Sequence, residues 1–133
     1  MPNFLTKYSA QTYALMRIVA GLLFLVHGSQ KVFGLPPMAQ QPPAFIQFGA
    51  GWIELAGGSL IAIGLFAGWA AFISSGEMAT AYWIAHGTKH ALPLLNGGEL
   101  AVLYCFVFLC IAAHGAGIWS VDAARGAARP RSL

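Results

Sequence analysis

The sequence predicts an all-α integral membrane protein built as a four-helix bundle. Three observations predict it. Of 133 residues, 58% are hydrophobic and 8% are charged, against about 25% charged in a soluble domain. The mean hydropathy is +0.68, so the chain cannot cover itself with a water-facing surface. Four apolar runs reach the length of about 20 residues that crosses a bilayer. At this length the chain forms one domain, 1–133.

The first run is 10–33 and contains "LMRIVAGLLFLVHG". Arg17 lies inside it, no A-x-A site follows it, and His27 and Lys31 come soon after. It therefore reads as a retained span rather than a cleaved signal peptide. The linker "GLPPMAQQPPA" carries four prolines and no charge, which suits an ordered crossing at the interface. The second run is 45–66 and the third 69–87. Almost nothing separates them, so their helices must be antiparallel neighbours. "GTKHALPLLNGG" leads to the fourth run, 98–119, with Asn96 and Glu99 spaced as a loose capping box. Residues 124–133 read as a flexible basic tail.

Four spans place both termini on one side. That side carries Lys7, Arg125, Arg129 and Arg131, and the other carries Lys31 and Lys89. The positive-inside rule makes the first side cytoplasmic. The net charge of +3 thus reads as a topology signal, and nucleic acid is not an expected partner. Cys105 and Cys110 are five apart in one apolar run. They would sit roughly 140° apart on a helix, so they are read as small core residues rather than a redox pair.

The chain has only four acidic residues: Glu54, Glu77, Glu99 and Asp122. The three glutamates each open a Glu-(Leu/Met)-Ala tripeptide within or beside an apolar run. A charge at the bilayer centre costs about 2.5–3.5 kcal/mol, so such groups face the protein and find partners. Arg17, His27 and Lys31 fall within roughly an 80° arc, which should face inward. Glu54 is flanked by Ala50, Gly51, Gly57 and Gly58 at helical spacing, a face of small residues that favours close approach of another helix. Counting depth pairs Arg17 with Glu77 and His27 with Glu54. It gathers Lys31, His86 and Glu99 at the outer mouth, and Asp122 and His114 at the inner one.

Three readings of these charges stay open. They are structural clasps, they form a polar site for a head group or for protons, or they bind metal. His86 and His90 are four apart, yet no Glu-x-x-His motif is present, and no metal site is assigned. Tyr82, Trp83 and Tyr104 read as packing aromatics.

The order of "GLLFLVHGSQKVFG", "FGAGWIELAGGSLIAIGLF", "SSGEMATAYWIAHG", "PLLNGGELAVLYCFVFL" and "GAGIWSVDA" resembles the DoxX family of small bacterial membrane proteins. Arg17, His27, Gly28, Lys31, Glu54, Gly76, Glu77, Asn96, Gly98, Glu99, Ser120 and Asp122 match that family's recurring pattern. The resemblance implies a four-helix bundle in the bacterial inner membrane and an association with quinone-linked oxidoreductase assemblies. No haem, flavin or iron–sulfur signature is present, so a bound quinone or a partner subunit would carry electrons. The expected ligand-binding residues are His27, Lys31, Glu54, His86 and Glu99, with Phe33, Phe45 and Trp52 against the ligand's apolar body. Arg17, Glu77 and Asp122 are expected in structural ion pairs. The rivals are a non-catalytic scaffold that docks partner subunits and a small homo-oligomeric transporter or proton path.

Overall fold

The computed structural model describes residues 3–126; most of the expected tail, Arg129 and Arg131 included, lies outside them. A 3₁₀ turn, Thr6–Tyr8, leads into α1, Ser9–Phe33. Then come α2 (Ala44–Ile63), α3 (Ala67–Tyr82), a single π turn (Trp83–Gly87), α4 (Pro93–Asn96), α5 (Glu99–His114) and α6 (Val121–Ala124). No strand occurs among the described residues. The four long helices pack as an antiparallel bundle. Its near end carries Ser9 and α6, and its far end carries the loops after α1 and after the π turn.

The bundle is polar at its centre and apolar outside. Among the largest fully buried side chains are Arg17, Glu54 and Ser74, beside Phe24, Ile61, Phe108 and Ile111. Trp69, Phe72, Trp83 and Phe106 are all exposed. In water this would be inverted; against acyl chains the apolar exterior costs nothing, and each buried polar group must find a partner inside. α1 and α2 are each long and apolar enough to cross a membrane, and α5 is a shorter apolar helix.

Backbone contact joins α1 to α2. A Cβ on Gly28 would collide with Leu55 N, and one on Gly58 with Leu25 N. Gly21 and Gly51 meet the facing helix in the same way, at Ala62 N and Lys31 Cβ. On both helices the paired glycines are seven residues apart, two turns, so one stripe on each is bare enough for the backbones to touch. α3 and α5 form the second close pair, where Ser75 Oγ donates to the carbonyl of Cys105 at 2.8 Å. Between the two pairs, along α2 and α3, packing is looser and cavities open.

The near end is tied by one knot. α2 stops at Gly64 (φ +72), whose N–H turns back to Leu60 O and Ile61 O, and the last-turn carbonyls keep spare acceptor capacity. Arg17 Nη1 donates to Ile61 O at 2.6 Å and Ala62 O at 2.8 Å. Its Nη2 donates to Ile118 O and Trp119 O. A cation at a helix C-terminus also meets the negative end of the helix dipole. Asp122 completes the knot: its two oxygens accept from Phe66 N at 3.1 Å and Ala67 N at 3.2 Å, capping α3, and its own N–H donates to Gly64 O.

Three expectations are corrected here. Arg17 and Glu77 do not pair. Arg17 is level with the last turn of α2, hence with the start of α3, and Glu77 lies ten residues along α3, about 15 Å away. Asp122 serves as a cap rather than as half of an ion pair. The fourth helix also ends at His114, before the expected 119, because Gly115 and Gly117 take positive φ.

The far end has its own knot, centred on buried Asn96. Its Nδ2 donates to Tyr82 Oη and to His90 O, and its Oδ1 accepts from Gly98 N at 2.8 Å. No side-chain hydrogen bond caps α5, so the anticipated capping box with Glu99 is absent.

Candidate functional site

Two carboxylates, one lysine and one serine meet where the two helix pairs face each other. α2 delivers Glu54, with 2% of its side chain exposed, and α1 delivers Lys31, with 20% exposed. Lys31 Nζ donates to Glu54 Oε1, the one salt bridge among the described residues. It forms because Gly51, one turn from Glu54, lets the Lys31 stem lie flat on α2. The other oxygen, Glu54 Oε2, is buried without a partner.

α3 supplies Glu77 and Ser74, one turn apart on one face. A Cβ on Gly57 of α2 would lie 2.6 Å from Ser74 Oγ, which sets the register of this antiparallel pair. One turn toward the far end, the same antiparallel register sets Glu54 opposite Glu77. Both oxygens of Glu77, and Ser74 Oγ, are buried without hydrogen-bond partners. Tyr104 of α5 and His27 of α1 lie within electrostatic reach of Glu54, and their rings meet edge to face at 6.4 Å.

Beside this cluster a cavity of about 370 Å³ opens sideways between α2 and α3. Phe45, Ile46, Ile53, Ile73 and Ile84 supply most of its apolar wall, with Gly76 and Thr80 on α3. The Glu77 side chain forms part of the wall too, with its carboxylate turned into the protein. A second cavity of about 300 Å³ continues along the same seam toward the near end, past Ile53 and Ile73.

The structure regroups the expected ligand-binding residues. Lys31 and Glu54 are together, but Lys31 rather than His27 takes the Glu54 carboxylate. His27 is exposed, because Gly28 occupies the position against α2 and its neighbour is turned about 100° aside. His86 sits in the far-end knot, its Nδ1 3.0 Å from Asn96 O. Glu99 is exposed at the start of α5, in a separate shallow groove with Leu100, Leu103 and Phe106. Of the three aromatics expected against a ligand, Phe45 lines the cavity; Phe33 and Trp52 instead pack on each other edge to face at 6.3 Å. Ser74 is a site residue that the sequence analysis does not single out. Its spacing three residues before that glutamate was the available signal. Among the described residues no three His, Cys, Asp or Glu side chains converge to hold a metal.

The DoxX family model matches residues 12–87, which takes in α1, α2, α3 and the Lys31–Glu54–Glu77 cluster. The chain belongs to the DoxX family. This DoxX protein is also similar to a Haemophilus influenzae protein named only "Uncharacterized protein", at 39% identity over 129 residues, covering 90% of this chain and 95% of the relative. No solved structure matches it. Of the residues expected from the resemblance, Arg17 and Asp122 fall in the near-end knot, Asn96 and Gly98 in the far-end knot, and Lys31, Glu54 and Glu77 at the centre.

Proposed function

We propose that this DoxX protein is a multi-pass protein of the bacterial inner membrane, both termini cytoplasmic, that holds a quinone-type or similar amphipathic molecule in the lateral cavity between α2 and α3. The observation that carries the reading is the cavity itself: an apolar chamber of about 370 Å³, within the range of small-molecule sites, with an ionisable Glu77 in its wall. An intramembrane ionisable residue is a functional-site hypothesis by default. The apolar wall suits a ring or chain arriving from the bilayer. The Glu77 carboxylate is turned inward without hydrogen-bond donors, and by rotating toward the cavity it would gain them from a head group bearing hydroxyls, as a quinol does. Lys31 and Glu54 stand behind it. In this reading the protein positions the molecule and membrane oxidoreductase subunits exchange the electrons.

Gly76 gives the cleanest test. It lines the cavity, and a Cβ there would meet nothing within 4 Å. Gly76→Leu fills the chamber from within and should leave the fold intact, since leucine is the better helix former by about 0.5–1 kcal/mol. Binding of a quinol analogue to purified protein should weaken at least tenfold. Unchanged affinity in a folded Gly76→Leu variant overturns the proposal.

A scaffold role is the second reading, favoured by one observation: both terminal nitrogens of Arg17 and both carboxylate oxygens of Asp122 are taken up by backbone groups at the near end. It expects no amphipathic ligand to shift the melting temperature.

A further inference from the structure

The central cluster carries an imbalance independent of what fills the lateral cavity. Four buried oxygens have no partner: Glu54 Oε2, Glu77 Oε1 and Oε2, and Ser74 Oγ. They come from two helices whose register is fixed by the Gly57–Ser74 contact, with Glu54 opposite Glu77. Glu54 is 2% exposed and Ser74 is fully buried, so neither oxygen is satisfied by bulk solvent. Buried acceptors of this kind normally have partners, and leaving a charged one bare is costly.

The charges also fail to close. Two carboxylates face one ammonium, and that ammonium is already spent on Glu54 Oε1. The remaining neighbours are His27 on α1 and Tyr104 on α5. Arg17 cannot help, because it is bound to carbonyls at the near end. One further positive charge balances the group. Oxygen ligands select a hard cation, whereas zinc and the later transition metals favour nitrogen and sulfur. A residual charge of one, with hydroxyl and carboxylate donors, fits a monovalent ion better than a divalent one.

We propose that Glu54, Glu77 and Ser74 form an internal site for one sodium-sized monovalent cation at the α2–α3 seam, facing the Lys31–Glu54 pair. The ion draws the two carboxylates together and locks the seam between the two close helix pairs. Occupancy of the site therefore couples to how tightly α2 and α3 close, and to the width of the lateral cavity they share.

The test uses the full chain in detergent, with no quinone present. Thermal unfolding is followed in sodium, potassium and choline chlorides at equal ionic strength and pH. Sodium should raise the melting temperature by about 5 °C over choline at saturation. Glu77→Gln keeps the shape, removes the charge and should abolish the shift. Ser74→Ala should require roughly tenfold more sodium for the same shift, about 1.4 kcal/mol, through loss of one oxygen ligand to the ion. Equilibrium dialysis of radioactive sodium against the unmodified protein gives an independent reading: one ion bound per chain. Identical melting in sodium and choline overturns the proposal, as does a sodium shift that survives in Glu77→Gln. Melting that follows pH while ignoring sodium also overturns it and assigns the missing charge to a proton shared by the carboxylates. These measurements contain no quinol, and Gly76→Leu, which leaves the three oxygen-bearing side chains in place, reads quinol affinity separately.

Discussion

Arg17 and Glu54 are both buried charges, yet their surroundings treat them differently. Arg17 spreads its charge over four carbonyls of the near end, so it behaves as a cross-link between backbone segments. Glu54 depends on a single partner, Lys31. Removing that partner strands a carboxylate in a dry interior, while removing both members need not cost much. Lys31→Met should therefore destabilise the protein by about 3 kcal/mol, near the lower end of the range for broken buried pairs because Lys31 keeps some exposure. The double variant Lys31→Met/Glu54→Gln should recover more than half of that loss. Melting temperatures of the two single variants and the double one form a cycle that measures the coupling; a double variant as unstable as Lys31→Met alone contradicts this account of the pair. The sequence announced that these charges would face inward, since lipid leaves no other choice. It did not announce the pairing. Partner choice depends on axial offsets of a few ångströms, and a depth count from run boundaries errs by that much, as the separation of Arg17 from Glu77 demonstrates.

At the scale of the helices, the glycine stripes decide which neighbours touch. Gly58 of α2 lies against the backbone of α1, whereas Gly49, on the same helix, has nothing within 4 Å of its absent Cβ. Both are helical glycines, so replacing either with alanine gains helix propensity of about 0.5–1 kcal/mol. At Gly49 that gain should appear intact. At Gly58 the new methyl group meets backbone that cannot yield without parting the helices, and the net effect should be a loss of several kcal/mol, of the kind seen for overpacked cores. Opposite signs for Gly49→Ala and Gly58→Ala, read as changes in melting temperature, check the packing; equal signs contradict it. Small residues around Glu54 made a close helix seam legible from sequence. Which of the flanking glycines faces α1 and which faces α3 was not legible, because Gly57 and Gly58 are adjacent and only about 100° of helix rotation separates a backbone contact with Leu25 from a contact with Ser74.

For the whole molecule, the legible part was the inverted polarity. A chain with so few charges, its glutamates in or beside apolar runs, reads as a bundle that turns them inward, and Glu54 and Glu77 do turn inward while Glu99 stays exposed. The ends were less legible. The Gly115–Trp119 segment looks like a continuation of the fourth span by hydropathy, yet it leaves the helix and turns its Ile118 and Trp119 carbonyls to Arg17. That detour brings the last described residues back beneath α2 and α3, so the first and the last described residues both lie at the near end. The charges there give the molecule a direction. Lys7 and Arg125 lie at the near end, with Arg129 and Arg131 following in the sequence, against Lys31 and Lys89 toward the far end. The potential and the insertion machinery favour keeping the more positive end in the cytoplasm. A phosphatase reporter fused at the C-terminus should accordingly be inactive and a fluorescent protein fused there bright, with the same result at the N-terminus, and a reporter placed in the 34–43 loop should report the opposite side. Reversing the bias, by exchanging Lys7, Arg125, Arg129 and Arg131 for glutamine and adding arginines to that loop, should shift a measurable fraction of molecules to the inverted orientation. A C-terminal phosphatase active in the unmodified protein would refute the assignment, and would place the mouth of the α2–α3 cavity nearer the cytoplasmic leaflet rather than the outer one.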